Sequence, residues 1–63
     1  MIKLGDTVKI KDNALIGQIC DVYDGRCYID VDAQDIKAKG LTPDCIDSLF
    51  ERSVDDIELI KSI

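Results

Sequence analysis

Three groups of side chains in this sequence are candidates for binding or reactivity, and the first is acidic. Asp30, Asp32 and Asp35 follow one another closely, and hard cations such as Ca²⁺ prefer clustered carboxylates. The calcium-loop pattern, however, requires an oxygen ligand where Gln34 stands and a glycine where Asp35 stands. A cation site and a solvated acidic strand face both remain hypotheses, and a calcium titration without amide shifts at residues 30–35 would exclude the site.

The second group contains the three cysteines, Cys20, Cys27 and Cys45. Their number is odd, their spacings match neither a disulfide framework nor a paired zinc motif, and the chain has no histidine. We therefore expect reduced thiols that pack as small apolar side chains in or near the core. Reactive or metal-ligating thiols are the alternative.

The third group combines basic and aromatic side chains. Its members, the candidate partner-binding residues, are Lys9, Lys11, Tyr23, Arg26 and Tyr28. Cations and stacking rings are a nucleic-acid footprint, but a net charge of −5 argues against tight polyanion binding, which depends on neutralising phosphates. The same residues suit a protein partner, because exposed aromatic side chains often anchor such contacts. Solvated lysines and cross-strand packing of the rings are the purely structural interpretation.

Catalytic patterns are missing from the sequence. It has no histidine, no serine placed near a base and no glycine-rich phosphate loop. We therefore expect a protein that is not an enzyme and that uses no cofactor.

Length and composition restrict the class of protein. Sixty-three residues make one domain, and a chain this short buries only about 60% of its unfolded surface, so the core must be small. The amino terminus has no apolar signal region, and no apolar run approaches the ~20 residues of a membrane span. We expect a cytoplasmic protein of a bacterial-type cell that does not contact the membrane.

Alternation of apolar and polar residues predicts an all-β fold of five strands. The predicted strands cover residues 7–11, 16–23, 26–32, 48–52 and 57–60. Asp24-Gly25 predicts a type I′ hairpin turn between the second and third strands. Gly17 within a strand predicts a bend, a bulge or a close backbone approach. Ile19 and Val22 are three residues apart, so they can share a face only if a bulge lies between them.

Helical segments are predicted on both sides of the fourth strand. The long connection from Ala33 to Ile46 begins with a segment that suits one helical turn ending at Gly40, and Thr42-Pro43 resembles a second helix start. Ser53 is suited to cap a single turn before the last strand. Because long loops are often functional, the connection is where a specific role is expected.

Five short strands with one helical turn before the last are the order of an SH3-like barrel, which the chain resembles. Its first two strands, over roughly residues 4–31, resemble the KOW motif of ribosomal proteins and transcription elongation factors. The residues that carry this likeness are Gly5, Asp6, Val8, Ile10, Gly17, Gln18, Ile19 and Val22. In that family the glycine permits a tight bend and the apolar residues fill a small barrel.

Two other families of this fold share shorter pieces with the chain. Residues 50–60 are similar to the end of the small photosystem I accessory subunit, where a helical turn leads into the last strand. The pieces Gly5-Asp6, Val8, Lys11, Ala14, Gly17-Gln18-Ile19 and Tyr23 resemble type II dihydrofolate reductase. The Val-Gln-Ile-Tyr strand that lines that enzyme's pore has no counterpart here, so its folate and NADPH residues are missing.

These observations predict a single SH3-like barrel domain, residues 1–63, that acts as a non-catalytic interaction module or accessory subunit. A protein partner or a homo-oligomer is the first expectation. The alternative is a KOW-like contact to nucleic acid or the ribosome. A contiguous basic patch around Lys9, Lys11 and Arg26 would favour nucleic acid, whereas an exposed apolar patch or edge strand would favour protein.

Overall fold

The computed structural model describes residues 2–44 and 48–63. Five antiparallel strands are the main secondary structure of this part of the chain, and the helical segments are short. The elements are β1 (Thr7–Ile10), β2 (Ile16–Tyr23), β3 (Arg26–Val31), α1 (Ala33–Ala38), β4 (Leu49–Ser53), a 3-10 turn (Val54–Asp56) and β5 (Ile57–Lys61). This architecture confirms the predicted all-β class, the long connection between the third and fourth strands and the single turn before the last strand.

The strands form one sheet in the order β4-β3-β2-β1-β5. Each neighbouring pair is antiparallel. Within the described residues no pairing joins β4 to β5, so the sheet is open and these two strands are its edges.

The core lies on one face of this curved sheet and is closed by α1 and by residues of the turns. Val8 and Ile10 on β1, and Cys27, Ile29 and Val31 on β3, are buried as the alternation predicts. The remaining buried apolar residues are Leu15, Ile19, Ile36, Phe50 and Ile57. Full burial of one such side chain contributes about 1.5–3 kcal/mol, so a core of this size gives modest stability.

β2 contains both irregularities that the sequence predicts. At Gly17, β3 passes so close that an added methyl group would lie 2.8 Å from Ile29 Cγ2 and 2.9 Å from Val31 Cγ2, and closer still to the backbone carbonyl oxygen of Asp30. Further along, the pairing of β2 with β3 shifts between Ile19 and Asp21. This bulge places Val22 on the same face as Ile19, although Val22 lies at the rim and stays partly exposed.

The β2–β3 hairpin has the predicted type I′ geometry. Asp24 has φ 53° and Gly25 has φ 77°, the two positive values that this turn requires. It sets the register in which Tyr23 pairs with Arg26.

The connection after β3 differs in detail from the prediction. Asp32 does not extend the strand but caps α1, because its side chain accepts a hydrogen bond of 2.8 Å from the backbone N–H of Gln34. The helical turn ends as predicted at Gly40, with φ 67°. Thr42 and Pro43 begin no helix within residues 41–44. The predicted packing of Cys45 lies outside the described residues, as does the end of the connection at Ile46.

Candidate functional site

Three of the five candidate partner-binding residues lie together near the β2–β3 hairpin. Tyr23 is 74% exposed and pairs with Arg26 across the hairpin. Arg26 Nε lies 3.5 Å from Glu51 Oε2 on β4, and the Tyr28 hydroxyl donates to the same oxygen at 3.4 Å. The carboxylate of Glu51 therefore compensates the charge of Arg26 and orients Tyr28, which is half-buried in cross-strand packing.

The other two candidates, Lys9 and Lys11, lie towards the opposite end of the sheet. Lys9 pairs with Ile16, at the far end of β2 from the hairpin, and the eight residues of that strand span roughly 23 Å. Lys9 also lies opposite Glu58 on β5, and Lys11 Nζ donates to the carbonyl of Asp55 at 3.1 Å. The structure does not join these lysines and Arg26 into one basic patch.

The acidic group does not assemble into a cation site. Asp30 lies on the outer face of β3, whereas the Asp32 carboxylate caps α1 and Asp35 lies within the helix. Within residues 2–44 and 48–63, no three cysteine or carboxylate side chains come together as metal ligands.

The two described cysteines occupy different environments. Cys27 is buried as predicted, and its thiol donates to the Arg52 carbonyl at 3.4 Å. The core prediction is wrong for Cys20, because the bulge in β2 leaves this residue exposed. Neighbouring atoms still shield part of the Cys20 thiol from water, and this raises its pKa above the ordinary value. The carboxylate of Asp30 raises the pKa further.

Thiol labelling tests this difference. In a Cys45→Ser variant at neutral pH, we expect a maleimide to modify Cys20 in the folded protein and Cys27 only after unfolding. Because the pKa of Cys20 is raised, its reaction should be slower than that of a small free thiol and should accelerate up to about tenfold per pH unit. Mass spectrometry of a Cys20→Ser, Cys45→Ser variant is the control. Equal labelling of Cys20 and Cys27 in the folded state would contradict the placement of β3.

An arginine that the sequence patterns do not single out joins three parts of the fold. Arg52 on β4 donates to Asp12 through Nε at 2.9 Å and through Nη2 at 3.2 Å, and it also binds Asp44. Its guanidinium lies over the Phe50 ring, 5.4 Å from the centroid. The hydrogen bond to Asp12 is the main reason that the pKa of Arg52 is raised. Arg52 therefore links the β1–β2 turn to the long connection before β4. This role cannot be predicted from the pattern of residue types along the sequence.

The two edges of the sheet differ in how they are covered. At the β4 edge, the backbone N–H of Glu51 donates to the Asp44 carboxylate at 3.3 Å, so the connection covers part of that strand. On β5, the strand at the other edge of the sheet, Leu59 and Ile60 are about half exposed. Leu4 and Ile63 add exposed apolar surface at the chain ends, and Ile63 packs over Gly5. We call β5 and these two residues, Leu4 and Ile63, the β5 edge.

Comparison with protein-family models, curated proteins and solved structures gives no match to this chain. Among the described residues, no helix has the length and apolar character needed to cross a bilayer.

Proposed function

We propose that this protein is a non-catalytic interaction module or accessory subunit that binds another protein chain through the β5 edge. The observation that carries the proposal is the exposed apolar character of that edge. Leu59 and Ile60 expose 43% and 51% of their surface on a strand whose outer side faces no other strand of the described sheet. An edge strand offers backbone hydrogen-bonding groups, and its apolar side chains add buried area when a partner pairs with it.

The fold supports this type of function. The strand order, the 3-10 turn before β5 and the KOW-like residues of the first two strands support an assignment to the SH3-like barrels. We make that assignment as part of the proposal. The exposed Tyr23 beside Arg26 forms a second polar and aromatic surface at the hairpin that would contact the same or another partner.

Charge placement favours a protein partner over nucleic acid. Lys9 lies opposite Glu58 and Arg26 lies near Glu51, so each of these cations has a carboxylate close by. A net charge of −5 opposes association with phosphates. We expect unchanged mobility of the protein with RNA and with duplex DNA at low salt, where non-specific phosphate binding is strongest.

Matched surface variants test the proposal. Proteins captured by the tagged chain from its native host should be purified and their affinities measured for the parent, Ile60→Glu and Leu41→Glu. Both variants replace an exposed apolar residue with a carboxylate, but Leu41 lies beside α1, away from β5. We expect at least about tenfold weaker binding for Ile60→Glu, from loss of apolar burial, and parent-like binding for Leu41→Glu. Equal binding by all three proteins would refute the β5 edge as the binding surface.

A further inference from the structure

We propose that the chain that binds the β5 edge is a second copy of this protein, paired antiparallel through β5 about a two-fold axis between Leu59 and Ile60. The inference rests on the proposed function and names its partner. A two-fold interface is isologous, so the same strand must be complementary to itself when its direction is reversed.

The bulge in β5 determines which side chains would face each other across such an axis. Val8 pairs with Leu59 and the adjacent Thr7 pairs with Lys61, so Ile60 is an extra residue in the ladder. Without it, Glu58 and Lys61 would point to opposite faces, because side chains alternate along a strand. With it, both charged residues lie on the outer face, one on each side of Leu59.

A two-fold axis between Leu59 and Ile60 therefore places two opposite charges in register twice. Glu58 of one copy lies opposite the partner's Lys61, and Lys61 lies opposite the partner's Glu58. Opposite charges at directly facing positions stabilise an antiparallel pair, and like charges destabilise it. Charged residues and bulges also protect edge strands from indiscriminate pairing. Here their signs and spacing select one antiparallel register.

Apolar burial favours the same arrangement. Leu59 would meet the partner's Ile60 next to the axis, and Ile60, 51% exposed in the single chain, would be covered by the partner's Leu59. A domain of this length has a small core, so association through exposed apolar residues adds stability that the chain alone lacks.

Sedimentation equilibrium with charge variants tests the inference on the full chain. We expect a reversible dimer for the parent. For Lys61→Glu the dissociation constant of the dimer should be at least about tenfold higher, because the introduced carboxylate would face the partner's Glu58 at both symmetry-related positions. Within its own chain Lys61 pairs with the neutral Thr7, so the variant should fold normally. Lys39→Glu, which changes the net charge equally beside α1, should dimerise like the parent.

A mixture of two charge variants provides the decisive measurement. Glu58→Lys alone should also dimerise poorly, and circular dichroism will show whether it stays folded, since the introduced ammonium group would face Lys9. An equimolar mixture of Glu58→Lys and Lys61→Glu should form a heterodimer, because each introduced charge then meets one of opposite sign on the other variant. A mixture that associates no better than the separate variants, or a Lys61→Glu protein that dimerises like the parent, would overturn the inference.

A parent that stays monomeric up to about 1 mM would also overturn the inference. If Ile60→Glu still weakened binding of a captured heterologous protein, the proposed function would stand without self-association. If the charge variants behaved as expected but no other protein depended on Ile60, the β5 edge would serve only the dimer.

Discussion

Replacing Gly17 with alanine is expected to destabilise the protein by about 2–3 kcal/mol, because the new methyl group has no space to occupy. It would lie 2.8 Å from Ile29 Cγ2 and closer still to the carbonyl oxygen of Asp30. Side chains can shift, but that oxygen belongs to the backbone of β3, paired on both sides. Reduced entropy of the unfolded chain offsets only about 0.4–1 kcal/mol.

Urea unfolding followed by circular dichroism measures this effect. A domain of 63 residues has a stability of roughly 3–9 kcal/mol, so the loss would be a large part of the total. The melting temperature should fall by about 10 °C or more. Gln18→Ala, at the adjacent exposed position, is the control and should stay near the parent. A Gly17→Ala protein as stable as the parent would show that β2 and β3 do not approach this closely.

Replacing Asp6 with alanine is expected to cost about 2–3 kcal/mol, through a different mechanism. The Asp6 side chain is fully buried, and its carboxylate accepts hydrogen bonds from the backbone N–H of Lys3 at 2.8 Å and of Ile63 at 3.3 Å. It therefore ties both ends of the chain to the start of β1. Alanine would leave two backbone donors without this acceptor and would loosen the segments before β1 and after β5.

Equilibrium unfolding and amide hydrogen exchange test the role of Asp6 together. Asp6→Asn keeps one acceptor oxygen and should lose about half as much stability as Asp6→Ala. Asp24→Asn, in the exposed hairpin turn, makes the same chemical change where asparagine suits the positive φ, and it should be nearly neutral. Faster exchange of the Lys3 and Ile63 amides is expected for Asp6→Ala. Parent-like exchange at both amides would contradict the assigned hydrogen bonds.

Local rules account for the parts of the fold that the sequence predicted well. The strand alternation at Val8, Ile10, Cys27 and Ile29 needs only period two and a single core face, and the hairpin at Asp24-Gly25 needs only a residue pair that accepts positive φ. The close approach at Gly17 follows from the rarity of glycine inside strands. These signals lie within a few neighbouring residues, so a one-dimensional pattern contains them.

The candidate site was less accessible to such reasoning. Lys9 and Arg26 belong to one basic group by composition, but β2 separates them and each lies near a carboxylate from a distant segment. Arg52 contacts Asp12, which is 40 residues away in sequence. The charged side chain of Asp6 is fully buried, and it accepts a hydrogen bond from Ile63, which is 57 residues away in sequence. Contacts between residues that are far apart in sequence produce no periodic pattern of residue types.

The all-β class, the positions of the strands, the hairpin and the bulge in β2 can be predicted from residue types alone, because each depends on backbone preferences and on which residues avoid water. The assembled sheet is needed to show which strands are edges, that Leu59 and Ile60 on β5 are exposed, and that a second bulge puts Glu58 and Lys61 on one face. These features depend on which strand pairs with which and in what register. Pairing is set by the whole core, so the surface proposed for binding appears only once the sheet is assembled.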